Sequence, residues 1–264
     1  MTERDPQVDV TADDLTSAQI EGAQASPFTQ REKRPRDPEK WIHRPIEKYR
    51  KGKGAFAFRP GPAFFDLADP VVRTQRTLLG YDRLYVFWQA IQNLDGVPGA
   101  VAEIGTYRGG SAYFIASTFV AVTGADVPFH VFDTFEGHPE QAISEHDTFH
   151  KAGQFGGTSY DDVRAYLATC ASIQIHKGDV VTSLPHLGES KYRLVHIDTD
   201  LYRPTIACLE YFGPRLSPGG VIVLDDYASG NCPGVRTAAV EYLERTDAFQ
   251  VWDMRTEQLM LVKR

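Results

Sequence analysis

Two stretches decide how this chain folds: Arg193-Leu-Val-His-Ile-Asp-Thr-Asp-Leu-Tyr202 and Gly219-Gly-Val-Ile-Val-Leu-Asp-Asp-Tyr227. Each is a short apolar run, rich in β-branched residues, that ends abruptly in carboxylates. A continuous run of this kind reads as a strand buried on both faces, as in a parallel sheet. Ligands of open α/β sheets sit just beyond the carboxyl ends of such strands. Two neighbouring strands therefore deliver Asp198, Asp200, Asp225 and Asp226 to one rim. Like charges at close range repel unless something positive neutralises them. Carboxylates without Cys or clustered His point to a hard divalent cation, Mg²⁺ rather than Zn²⁺. In an extended strand Asp198 and Asp200 project to one side together with His196, which reads as a core histidine. Asp225 and Asp226 share a ligand only if the chain turns between them, as the following Tyr227-Ala-Ser-Gly-Asn231 favours.

Strand and helix patterns alternate around this pair. Strands are expected at 100–104, 129–132, 172–176, 194–197 and 221–224, and helices at 110–122, 159–167, 180–187, 204–212 and 235–243. Two last strands, near 249–254 and 258–262, are separated only by Arg255-Thr-Glu257, too short for a crossover, and must pair as a hairpin. Alternation implies a parallel sheet with helices on both faces. The fold class is α/β: a seven-stranded, mostly parallel sheet with a C-terminal antiparallel hairpin, the pattern of Rossmann-like class I methyltransferases.

Ahead of this core, residues 71–94 read as one amphipathic helix with an apolar stripe through Leu78, Tyr81, Leu84, Tyr85, Trp88, Ile91 and Leu94. Residues 52–70 read as an aromatic, Gly- and Pro-rich loop. Residues 1–30 are polar and read as disordered, and 31–53 as a basic arm. The expected organisation is an N-terminal arm (1–60), a helical or lid segment (61–99) and a catalytic domain (100–264).

With 42% hydrophobic residues the chain has ample material for a core, and a net charge of −7 argues against a nucleic-acid partner. No apolar run approaches the roughly 18 residues that span a bilayer, so no membrane partner is expected. The N-terminus lacks a secretory apolar segment, and the three widely spaced cysteines read as reduced thiols. Both indicate a cytoplasmic protein.

The first strand runs into Glu103-Ile-Gly-Thr-Tyr-Arg-Gly-Gly-Ser111. Gly105 permits a tight turn, Gly109 a close backbone approach, and the helix N-terminus that follows offers N–H groups to an anion. The spacing is neither G-x-G-x-x-G nor a P-loop. An acid two residues before the first glycine suits a ligand with an ammonium or sulfonium centre, such as S-adenosylmethionine. Asp133 ends the second strand where an acid commonly holds ribose hydroxyls. Phe135 is placed to pack on an adenine. Asp179 follows the third strand and serves either an adenine amino group or the cap of the next helix.

These motifs, with Asp133-Thr-Phe-Glu-Gly137, Phe155-Gly-Gly-Thr-Ser159 and Leu216-Ser-Pro-Gly-Gly220, resemble the macrocin O-methyltransferase family, which includes sugar methyltransferases of natural-product (antibiotic) pathways. The resemblance runs from about Arg73 to Val262. It implies transfer of a methyl group from S-adenosylmethionine, with Mg²⁺, to a hydroxyl of a small-molecule acceptor, glycosylated or otherwise a vicinal diol. Asp198, Asp225 and Asp226 fall on metal ligands and Asp200 on a general base, with Asp198 also catalytic. The expected cofactor set is Glu103, Gly105, Thr106, Tyr107, Gly109, Ser111, Asp133, Thr134, Phe135, Gly178, Asp179 and Asp198. A homo-oligomer is expected. Relatives that place a His near the C-terminus at the acceptor site differ from this chain, whose hairpin carries Arg255, Glu257 and Gln258. A nicotinamide-dependent oxidoreductase and a non-catalytic relative that keeps the cofactor site are the alternatives.

Overall fold

Strand β1 (Ala100–Ile104) is buried at all five positions, as a central strand requires. The computed structural model describes residues 62–188 and 190–264. Around β1 lie β2 (Phe129–Asp133), β3 (Ile173–Lys177), β4 (Tyr192–Ile197), β5 (Leu216–Leu224), β6 (Phe249–Asp253) and β7 (Leu259–Lys263). They form one sheet in the order β3-β2-β1-β4-β5-β7-β6. β1 to β5 are parallel, β7 runs antiparallel to β5, and β6 pairs antiparallel with β7. The expected hairpin is present, and the order reverses between β1 and β4. That reversal is where an α/β sheet opens a crevice for ligands.

Helices α1 (Pro62–Arg73), α2 (Tyr81–Gln92), α3 (Gly110–Thr123) and α4 (Tyr160–Leu167) precede α5 (Val180–Ser183), α6 (Tyr202–Arg215) and α7 (Pro233–Leu243). Phe64, Phe87, Phe114 and Phe119 from the first three pack with Val101, Leu194 and Val223 on one face of the sheet. Leu209 and Phe212 of α6 pack with Ala102, Val195, Ile222 and Leu224 on the other. Alternate residues of each strand thus serve opposite cores. Each fully buried Phe or Leu contributes on the order of 1.5–3 kcal/mol.

The segment before β1 differs from its sequence reading. Residues 71–94 are not one helix: α1 ends at Arg73, Gln75 takes a left-handed φ of 55°, and α2 starts after Gly80. The break is anchored where the Arg76 carbonyl accepts the Gly110 amide at 3.0 Å, tying it to the start of α3. Leu78 accordingly leaves the apolar stripe and is 60% exposed. Residues 62–70 are helical rather than loop, because Phe64, Ala68 and Val71 recur on one face and are all buried. The rest of that loop and the N-terminal arm lie outside the described residues. β5 begins five residues earlier than expected; its pairing with β4 is interrupted by a register shift between Tyr192↔Leu216 and Leu194↔Val221. Among the described residues no helix is long and apolar enough to cross a membrane.

Candidate active site at the strand tips

The carboxyl ends of β1 to β5 open onto a cavity whose empty space, its open mouth included, is about 1000 Å³. Gly105 and Tyr107 line it after β1, Asp133 and Thr134 after β2, and Gly178 and Asp179 after β3. Asp198 to Leu201 follow β4, and Asp225 and Asp226 follow β5. Seven non-glycine residues have positive φ among the described residues, and four of them, Tyr107, Phe155, Asp200 and Asp226, are on this wall. Strained backbone gathered at a cavity is a mark of function. Asp226, at φ 53°, supplies the turn that lets adjacent carboxylates face one place.

Ligand oxygens of Asp198, Asp225 and Asp226 lie within 4.8 Å of one another. Asp225 and Asp226 are both paired with Arg83 of α2, the latter at 3.0 Å, and Arg83 also reaches Glu257 of the β6–β7 turn at 3.1 Å. Arg83 was not anticipated; only tertiary packing reveals it, because 142 residues separate it from Asp225. One guanidinium does not compensate the cluster. Burial and the neighbouring Asp225, Asp200 and Asp226 push Asp198 well above the usual carboxylate range, with Arg83 opposing. Burial carries Asp225 to about 6 despite Arg83. Burial and Asp226 carry Asp200 to about 8. Gln258 stands beside Asp225 and favours its ionised form, yet among the described residues no hydrogen bond of normal geometry reaches Asp225 Oδ1. A buried orphan acceptor within an all-oxygen donor set fits a hard divalent cation.

Asp200 turns away from the strand line at φ 60° and faces a group absent from the sequence reading. His138 Nε2 is 3.7 Å from Asp200 Oδ2 and 3.2 Å from His150 Nδ1, and Cys232 Sγ lies 3.5 Å from Asp200 Oδ1. The expectation of a rim without clustered His or Cys is therefore corrected: His138 and His150, from the connection between β2 and α4, and Cys232, from that between β5 and α7, converge there. Burial and the neighbouring His150 lower His138 to about 4. Burial also lowers His150 and pushes the Cys232 thiol up, leaving neutral groups.

The glycine turn is organised inward. Asp133 Oδ2 accepts the amides of Thr106 at 3.0 Å and Tyr107 at 2.9 Å, and its Oδ1 accepts that of Phe135 at 2.7 Å. Burial raises the Asp133 pKa, and these three donors partly counter it. Glu103 is fully buried behind the cavity wall, bonded to Thr106 Oγ1 at 2.7 Å and to His196 Nδ1 at 2.9 Å. His196, packed on Phe87, is the core histidine that was expected. Thr106, Gly109, Ser111 and Phe135 also lie off the wall. Gly109 serves the backbone, which at φ 80° strains any side chain, and a Cβ there would also press within 3.2–3.3 Å of Val163, Leu167 and Tyr166 of α4. Phe135 packs on Tyr160 rather than facing the cavity. Asp179 caps α5 through the Val181 amide at 3.0 Å and still borders the cavity.

The profile of the macrocin-O-methyltransferase (TylF) family matches residues 63–251. The chain belongs to that family. It is 31% identical over 180 residues to 8-demethyl-8-(2,3-dimethoxy-α-L-rhamnosyl)-tetracenomycin-C 4′-O-methyltransferase of Streptomyces olivaceus, covering 64% of this chain and 68% of the relative. It is 28% identical over 182 residues to mycinamicin III 3″-O-methyltransferase of Micromonospora griseorubida, covering 64% and 70%. Among solved structures, the O-methyltransferase NovP superposes with a TM-score of 0.63 at 23% identity over 71% of this chain and 82% of that one. The calicheamicin methyltransferase CalS11 gives 0.58 at 17% identity over 77% and 94%. This macrocin-family chain is thus an O-methyltransferase on a class I sheet, and the oxidoreductase alternative is set aside.

Proposed function

We propose that the chain transfers a methyl group from S-adenosylmethionine to a sugar hydroxyl of a glycosylated natural product, with a divalent cation held by Asp198, Asp225 and Asp226. The observation that carries this reading is the convergence of those three carboxylates on the cavity of a macrocin-family sheet. The named relatives act on a rhamnosyl-bearing tetracenomycin and on mycinamicin III, which supports a glycosylated acceptor. When bound, the cation supplies Lewis acidity toward the acceptor hydroxyl and S-adenosylmethionine supplies the methyl group.

The chain's own residues do the rest. A carboxylate offers about four lone-pair sites, and Asp133 uses three on backbone amides. The fourth, on Oδ1, would be available to a ligand hydroxyl. Six carboxylates line the cavity (Asp133, Asp179, Asp198, Asp200, Asp225 and Asp226) against the one guanidinium of Arg83, a field that favours a sulfonium. Leu79, Phe132, Phe155 and Pro204 supply apolar wall and exclude water. Asp200, set beside Asp226 at the edge of the three-carboxylate cluster, takes the proton of the acceptor hydroxyl.

The test is release of S-adenosylhomocysteine with a panel of glycosylated acceptors, with Mg²⁺ and with chelator. Turnover is expected only with Mg²⁺, and Asp200→Asn should lower kcat by about 10²–10⁴-fold with the donor KM nearly unchanged. Undiminished turnover in chelator or in Asp200→Asn would remove the metal or the base. Turnover of catechols but not of sugars would move the acceptor class.

A further inference from the structure

The histidine pair beside Asp200 has the make-up of a second cation site. Nitrogens of His138 and His150 and an oxygen of Asp200 lie within 4.8 Å of one another. The His150 ring has a defined tautomer: its Nε2 is 3.0 Å from the Asn231 carbonyl, which can only accept, so Nε2 carries the proton. Its Nδ1 therefore presents a lone pair to His138 Nε2 at 3.2 Å. A histidine that donates its far nitrogen to a backbone carbonyl is the usual arrangement of a metal ligand. A proton shared by the two rings would satisfy that pair alone. It would leave Asp200 Oδ2 at 3.7 Å from His138 Nε2, too long for a hydrogen bond and too short to admit a water between them. In a tetrahedral site with metal–nitrogen bonds of about 2.0–2.1 Å, neighbouring ligand atoms stand about 3.3 Å apart. The two spacings at His138 Nε2, 3.2 Å to His150 and 3.7 Å to Asp200, bracket that value.

The ligands are held rigidly. His138 exchanges backbone hydrogen bonds of 2.9 Å with Gln154 and Gly153, and the His150 amide bonds the Asp147 carbonyl at 3.0 Å. The buried Asp147 side chain ties the loop down through Ser144 at 2.8 Å and the Tyr202 amide, at the start of α6, at 2.9 Å. Cys232 Sγ approaches Asp200 Oδ1 and His150 Nε2, the atoms facing away from the three converging ones, and so backs the site rather than completing it.

We propose that His138, His150 and Asp200 form a binding site for a borderline divalent transition ion of the Zn²⁺ class, separate in chemistry from the all-oxygen cluster of Asp198, Asp225 and Asp226. Two imidazoles and one carboxylate select such ions over Mg²⁺. Because Asp200 is also the base of the proposed reaction, occupancy takes up its Oδ2 and inhibits methyl transfer. Only this inhibitory consequence rests on the proposed function; the binding itself does not.

Full-length protein dialysed against Zn²⁺ alone, without cofactor or acceptor, is expected to retain one ion per chain. His138→Gln and His150→Gln should each weaken retention by at least about 10–100-fold, with folding checked by circular dichroism. Asp198→Asn, which disables the oxygen cluster, should retain the ion. With Co²⁺ as the probe, the wild type should show the intense visible bands of four- or five-coordination, and both histidine variants should lose them. Zn²⁺ retained equally by the histidine variants, or lost only in Asp198→Asn, would overturn the site. So would no retention by folded wild type. In the kinetic arm, Zn²⁺ should inhibit the Mg²⁺-activated wild type and inhibit His150→Gln far less. Equal inhibition of both would overturn the inhibitory role, while absence of turnover with every acceptor would count against the proposed function and leave the binding result standing.

Discussion

The acidic rim after β4 and β5 and the glycine turn after β1 are both strand-to-helix junctions beside one cavity, but they handle polarity in opposite ways. In the turn, the Thr106 and Tyr107 amides go to Asp133, the Gly110 amide to Arg76, and Glu103 to Thr106 and His196. At the rim, Asp225 and Asp226 share the Arg83 guanidinium, and among the described residues no hydrogen bond of normal geometry reaches Asp225 Oδ1. A region whose polar groups are satisfied internally supports a shape. One left under-compensated needs a ligand to complete it. Motif strength does not distinguish the two, since both stretches look equally ligand-directed in one dimension.

The sharpest challenge to this contrast is Gly105→Ala. At φ 87° a Cβ would lie 1.9 Å from the Asp198 carbonyl, so the turn and the rim cannot both keep their positions. A loss of about 4 kcal/mol or more is expected in denaturant unfolding; a well-folded variant would mean that the two junctions are not in contact. Next comes Glu103→Ala, which strands the buried His196 and should cost about 3 kcal/mol, whereas Glu103→Gln keeps both hydrogen bonds and should cost about 1 kcal/mol. Neither should respond to Mg²⁺.

Arg83→Met tests the other side. Removing this cation, which pairs with Asp225 and Asp226, should cost about 3 kcal/mol in metal-free buffer. Mg²⁺ at about 100 times its Kd should return about 2.7 kcal/mol of this by linkage. A deficit indifferent to Mg²⁺ would break the comparison, because the rim would then be a closed ion-pair network.

The smallest effect lies outside both regions, where His130 Nδ1 meets His176 Nε2 at 3.1 Å across β2 and β3. Burial lowers both pKa values from 6.5, with the His130 charge adding to the shift at His176. The folded state then binds fewer protons than the unfolded one as pH falls below about 6.5. This contribution is therefore full above that pH and lost on acidification. The slope of Tm between pH 7 and pH 5 should flatten in His130→Phe; an unchanged slope would place the acid sensitivity elsewhere.

Local chemistry made much of this protein legible. Apolar runs ending in Asp marked β4 and β5, and the three-residue link at Arg255-Thr-Glu257 forced the final hairpin. The Asp225-Asp226 pair declared its need for a turn, which Asp226 supplies. These are short-range signals, because strand burial, turn geometry and carboxylate repulsion depend on residues a few positions apart. Misreadings arose where distant partners decide. The helix before the core breaks because Arg76 bonds Gly110, and the orientation of Glu103 follows from His196 on the adjacent strand.

The chain's order of residues alone determined the alternating architecture, the family and the acids at the strand tips, since each rests on a local pattern. Tertiary structure decided which charge opposes those acids, that Glu103 turns into the core, and that His138, His150 and Cys232 gather at Asp200. Those outcomes depend on contacts between residues as far apart in the chain as Arg83 and Asp226, 143 positions, for which no local pattern in the chain carries a signal.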